Sequence, residues 1–110
     1  MNPPDLQKML EQAQKMQSKM GQLQAELAGK RFEASAGGGM ISAVATGDLK
    51  IVEIRIEDAV FEQADRELVQ DLVIAAVNSA LASAQRHVQE QLQRFSLGGL
   101  GPLKPGGEGT

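Results

Sequence analysis

Apolar residues recur near the start of the chain at alternating steps of three and four: Leu6, Met9, Ala13, Met16, Met20, Leu23 and Leu27. This unbroken heptad seam predicts one long helix. The residues between are nearly all Gln, Lys, Glu and Ser, which favour or tolerate helix, and Leu10 is the only large apolar residue beside the seam. A seam this narrow suits one or two partner helices, not the inside of a globule. About 25 helical residues span roughly 37 Å, too long for a 110-residue chain to bury. The helix therefore projects or pairs. Asn2 and Pro3-Pro4 fit its start. Gly29 fits a left-handed cap at its end, with Lys30 and Arg31 just beyond.

The period then changes from helical to alternating. Phe32, Ala34 and Ala36 alternate with Arg31, Glu33 and Ser35, a short half-buried strand. Gly37-Gly38-Gly39 ends it. Residues 40–46 form a second strand whose two faces, Ile41/Ala43/Ala45 and Met40/Ser42/Val44/Thr46, are equally fit for burial. Gly47-Asp48 reads as a two-residue turn. In the third strand, 49–56, Val52, Ile54 and Ile56 oppose Ile51, Glu53 and Arg55. Short turns between three strands predict an antiparallel meander.

An acidic connection follows, with Val60 and Phe61 as its apolar anchor and one helical turn expected near Asp58. Asp65 is placed to cap a second long helix from about Arg66 to about Phe95. Its first half is apolar nearly all round: Leu68, Val69, Leu72, Val73, Ile74, Ala75, Ala76 and Val77. Such a helix must be covered on every side, and one sheet covers only one. The other cover is the first helix, a second copy of the chain, or both, and Leu68, Leu72, Val73, Ala76, Val77 and Ala80 are the expected core and dimer contacts. Ala76, Ala80 and Ala84, at steps of four, permit close backbone approach. From Ser96 onward Gly and Pro dominate and the period is lost. Residues 1–96 thus read as one α+β domain, and 97–110 as a disordered tail.

Composition narrows the chemistry. With three Phe and no Trp or Tyr, the core is aliphatic. There is no Cys, which removes disulfides and thiolates and agrees with a cytoplasmic protein. No signal pattern and no apolar run near 18 residues is present, so no membrane role is expected. His87 is the sole histidine, without an obvious partner. The Gly run lacks a following Gly-Lys-Ser/Thr, and the acids lack calcium-loop spacing. No catalytic constellation forms, and a binding protein without a small-molecule substrate is expected.

Charge is uneven. Residues 1–31 carry five cations against three acids, residues 53–71 seven acids against two cations, and residues 85–95 two arginines against one glutamate. Lys8, Lys15 and Lys19 share one flank of the first helix, and Lys30 and Arg31 continue the basic stretch. Solvation is one reading of that flank. Contact with phosphates of duplex nucleic acid is the other, since few aromatics are available to stack on single-stranded bases.

Met9-Leu10-Glu11-Gln12-Ala13-Gln14-Lys15-Met16-Gln17, the strand–turn–strand from Met40 to Ile56, and Leu72-Val73-Ile74-Ala75-Ala76-Val77-Asn78-Ser79-Ala80 stand in one order and spacing. Over residues 5–95 the chain resembles the YbaB/EbfC family of nucleoid-associated proteins. The resemblance implies a bacterial homodimer with helices projecting from a central body, binding double-stranded DNA in the nucleoid, with no enzymatic activity and no cofactor. It points to the projecting helices as DNA contacts: Lys8, Lys15, Lys19, Lys30 and Arg31, with Arg86 and Arg94 late in the second long helix. A dimeric protein-interaction module using the heptad seam, with incidental DNA affinity, is the alternative.

Overall fold

The computed structural model describes residues 3–63 and 65–99. Helix α1 (Pro3–Gly29) leads into strands β1 (Arg31–Ala36), β2 (Ile41–Thr46) and β3 (Ile51–Ile56). A short helix α2 (Asp58–Gln63) and the long helix α3 (Arg66–Gly99) complete it. The architecture is the expected α+β order. The strands form one antiparallel sheet in the order β1-β2-β3. The Asn2 cap and residues 100–110 of the expected tail lie outside the described residues. Helix α3 runs on through residues 97–99, past the end expected near Phe95.

Helix α3 packs on β1 and β2. This settles which face of β2 is inward. Ile41, Ala43 and Ala45 are fully buried and cluster with Ala76, Ala80 and Ala84. Alanines on both sides let the helix lie close to the strand, which explains the row of small residues at steps of four. Ile41 and Val60 are the largest fully buried side chains. Each burial stabilises by roughly 1.5–3 kcal/mol. On α2 only Val60 anchors; Phe61 is 67% exposed.

The alternation expected in β3 is shifted by a bulge. Ala43 pairs with Ile54, Val44 with Glu53, and Ala45 with Ile51, so Val52 is the extra residue. Ile51 therefore joins Ile54 and Ile56 on the face that carries α3, while Val52 is left 49% exposed. Ile54 faces the helix side but lies on the strand α3 does not cover, and stays 45% exposed. The opposite face is polar. Arg55 holds Glu53 at 2.6 Å and reaches across β2 to Glu33 at 3.7 Å, while Arg31 holds Glu53 at 3.0 Å. These exposed pairs contribute about 0–1 kcal/mol each.

Both hairpins depend on left-handed residues. Gly37, Gly38 and Gly39 all have positive φ, which accounts for three glycines in a row, and Leu72 of α3 packs on Gly37. The second hairpin has three loop residues, not two. Thr46 N–H donates to Lys50 O and Leu49 N–H to Thr46 O, both at 2.8 Å. Leu49 occupies the left-handed position (φ 65°) of this bulged turn. The Thr46 hydroxyl donates to the Asp48 carboxylate, holding that carboxyl below its ordinary range. A leucine there is strained, and Leu49→Asn is expected to stabilise the protein by up to about 1 kcal/mol. A denaturant midpoint at or below the parent value would refute it.

Asp65 caps α3 as expected: its side chain accepts from Leu68 N–H at 2.8 Å. Gly29 does not make the expected left-handed cap, because its φ is not positive. Helix α1 instead tightens at its end, where Lys30 N–H donates to Leu27 O at 3.1 Å.

Candidate nucleic-acid interface

The antiparallel meander gives the body two ends. One holds the Gly37–Gly39 turn, α2 and the start of α3. The other holds the Thr46–Lys50 turn, the start of β1 and the end of α1. Helix α3 crosses the sheet from the first end to the second. Leu72 sits on Gly37, and His87 reaches Lys30 and Phe32 at the far side. Beyond that point α3 runs beside α1 in the opposite chain sense. Gln24, Leu27 and Ala28 of α1 share one groove of about 200 Å3 with Val88 and Leu92 of α3 and with Gly47 and Asp48. Two helical arms therefore leave the same end of the body.

The α1 arm is held only at its base. Leu27 is buried and Met20 and Leu23 are half-buried, whereas Leu6, Met9, Leu10 and Met16 are exposed. The heptad seam is thus partnered by α3 near the body and bare toward the tip. Helix α1 spans roughly 40 Å and the arm of α3 beyond His87 roughly 18 Å. That difference in reach leaves the distal seam bare.

The structure gathers the sequence-nominated cations at this end. Lys8, Lys15 and Lys19 are exposed on α1. Their spacing of seven and four residues confines them to about 40° of arc, a line roughly 16 Å long. Arg86, just before the α3 arm begins, and Arg94 on the arm are exposed. Arg86 lines a surface groove of about 470 Å3 with Gln89, Glu90, Leu92, Gln93 and Ser96. Among the described residues none of these five cations lies in an ion pair. Lys30, at the arm base, has its ammonium 3.4 Å from Nε2 of His87. Arg31 differs, since Glu53 already holds its guanidinium.

Six acids gather at the other end, with Arg66 among them, while Asp5, Glu11 and Glu26 stand exposed on α1 and Glu90 on the α3 arm. Glu57, Asp58, Glu62, Asp65, Glu67 and Asp71 are all exposed on α2, on the start of α3 and on the segments beside them. An anion meets cations at the arms and is repelled at the far end of the body.

The nominated core and dimer residues divide. Ala76 and Ala80 are fully buried, and Leu72, Val73 and Val77 pack partly against the core. Leu68 stays 46% exposed and Ile74, further along α3, 57%. With Val52, Ile54 and Phe61, they leave apolar surface on β3, α2 and α3 uncovered by the chain itself. Residues 66–97 are long and apolar enough to cross a membrane by length and composition alone. Most of that apolar character comes from Leu68, Val69, Leu72, Val73, Ile74, Val77 and Leu81, which are exposed or half-buried in the single chain.

Sequence reasoning missed two features of the arm base. His87 has no obvious partner in the sequence, but its ring lies 5.1 Å from that of Phe32, centroid to centroid. Gly47, read as turn chemistry, is the point where the sheet touches the end of α1. Among the described residues no three His, Cys, Asp or Glu side chains gather to hold a metal.

Comparison with known proteins agrees with this geometry. Residues 1–100 match the model of the YbaB/EbfC DNA-binding family. The chain is similar to a nucleoid-associated protein of Acetivibrio thermocellus, 45% identical over 99 residues, covering 90% of this chain and 87% of that one. It is similar to nucleoid-associated protein Teth514_0034 of Thermoanaerobacter sp., 42% identical over 96 residues, covering 87% and 86%. In fold it is similar to the crystal structure of uncharacterized protein HP0035 from Helicobacter pylori. That likeness has a TM-score of 0.59 at 22% identity and covers 73% of this chain and 93% of the other.

Proposed function

The chain belongs to the YbaB/EbfC DNA-binding family, and on that premise we propose that it is a cytoplasmic, nucleoid-associated homodimer that contacts duplex DNA with its two arms. The contacts run mainly to backbone phosphates. The observation that carries this reading is the segregation of charge. Exposed cations without an ion pair among the described residues line α1 and the end of α3, in excess over the acids around them in residues 1–31, while residues 53–71 carry seven acids against two cations. Such a layout lets a chain of net charge −3 present a cationic surface. Lysine and arginine side chains on exposed helix faces position a phosphate backbone without reading bases. The work assigned is binding, with no cofactor and no reaction. Lys8, Lys15, Lys19, Arg86 and Arg94 carry it, Lys30 supports it at the base, and Arg31 contributes less because Glu53 competes for it.

The dimer rests on the apolar surface of β3, α2 and α3. Leu68, Ile74, Phe61, Val52 and Ile54 are each 45% or more exposed in the single chain. A second copy that covers them completes the burial that the pattern of α3 demands.

The bare distal seam supports a second reading, in which α1 receives a helix of another protein. Salt separates the two. Duplex binding measured by fluorescence anisotropy, with the dimer monitored by light scattering, is expected to weaken linearly in log affinity against log salt concentration. Affinity that stays flat with salt would sink the phosphate reading.

A further inference from the structure

The geometry points to Gly47 as the residue that sets the direction in which α1 leaves the body, and hence the spacing between the two arms. Its bearing on DNA rests on the reading above; its bearing on arm geometry does not. A Cβ built on Gly47 would stand 1.7 Å from Leu27 O and 2.6 Å from the Leu27 carbonyl carbon. The φ of Gly47 is not positive, so close approach, not backbone conformation, is what requires glycine. Gly47 N–H also donates to Lys30 O at 3.0 Å. The turn thus grips the last residues of α1 by main-chain contact. Leu27, the most buried residue of the arm, seats the other side.

No side chain can make way, because the obstructing atoms are backbone. Real Cβ contacts essentially never fall under 3.0 Å, so an added methyl displaces the end of α1, or the turn, by about 1.3 Å or more. If the shift is taken up as a tilt over the last two turns, about 11 Å, the helix axis rotates by about 7°. Over the roughly 32 Å from Leu27 to Leu6 the tip then moves by about 4 Å. A glycine at the base is thereby levered into a displacement at Lys8 and Lys15.

The test uses the full chain with two spin labels. The protein has no cysteine, so Gln7→Cys on α1 and Gln93→Cys on α3 supply the only thiols, both at exposed positions. Labelled chains are diluted with unlabelled chains by unfolding and refolding, so that distances within one chain dominate. In a Gly47→Ala background the mean distance between arms is expected to shift by several ångström, and duplex affinity to fall although no charge has changed. A folded Gly47→Ala protein with the parent distance distribution overturns the proposal. A shifted distance with unchanged affinity supports Gly47 as the positioning residue and instead removes α1 from the DNA-binding surface. If Gly47→Ala does not fold, Leu27→Ala decides. Leu27 lies outside the cluster between sheet and α3, so the body survives, and a loosened seat is expected to broaden the distribution. An unbroadened distribution there overturns the proposal as well.

Discussion

Replacing Ala80 with glutamate is expected to leave no cooperatively folded protein at 25 °C. Ala80 is fully buried at the centre of the row Ala76, Ala80 and Ala84, which lies against Ile41, Ala43 and Ala45. That contact is tight because both surfaces are built from small side chains. A glutamate adds volume, at a cost of about 1–3 kcal/mol. Its carboxyl also finds no partner, and burying it adds several kcal/mol even after it takes up a proton. The sum rivals the roughly 5–15 kcal/mol that hold a domain together. Gln85→Glu, on an exposed position of the same helix, isolates the effect, with an expected change within about 0.5 kcal/mol. Circular dichroism with thermal melting reads both. An Ala80→Glu protein that melts near the parent temperature would mean the alanine row does not face the sheet.

The second large effect concerns the basic line of α1. Changing Lys8, Lys15 and Lys19 together to Gln removes three charges, keeps helix propensity and leaves the seam untouched. A dimer presents the line twice. If all six ammonium groups meet phosphates, the slope of log affinity against log salt loses about 0.9 × 6, or roughly 5. Partial engagement gives a smaller loss. At low salt the affinity is expected to fall by similar factors for unrelated duplexes, because phosphate contacts carry no sequence information. Melting temperature and dimer mass are expected to stay put. Unchanged affinity and slope would shift the binding surface to Arg86 and Arg94. Unchanged DNA binding with a lost protein partner would favour the seam as the working surface.

Elements governed by local period were legible from residues alone. The heptad of α1, the alanine row of α3 and the Asp65 cap follow from spacing within a single segment. What needed two segments was not legible. The inward face of β2 depends on which side α3 lands, and both of its faces carry suitable residues. The bulge at Val52 is a property of the pairing of β3 with β2, so strict alternation misplaced Ile51. Arg31 resembled the other cations until Glu53, two strands away across the sheet, was found to hold it. The lysines of α1 stand exposed along one line, as their spacing implies. That Arg86 lies just before, and Arg94 on, an arm leaving the same end of the body followed only once the hairpins had set the direction of α3. Gly47 shows the limit most plainly, because its constraint comes from a backbone oxygen 20 residues earlier in the chain.

The uneven charge, with more cations than acids in residues 1–31 and more acids than cations in residues 53–71, has a consequence for encounter as distinct from residence. The excess of cations in residues 1–31 and of acids in residues 53–71 makes each protomer an electric dipole. In the field of a polyanion that dipole feels a torque before any contact forms. The arms turn toward the duplex and the acidic end turns away, so a larger share of collisions begins in the productive orientation. This enters the association rate and fades as the Debye length shrinks, to about 8 Å at physiological ionic strength. An acidic protein of this shape is steered by its own asymmetry, and its net charge is a poor guide to how it meets DNA.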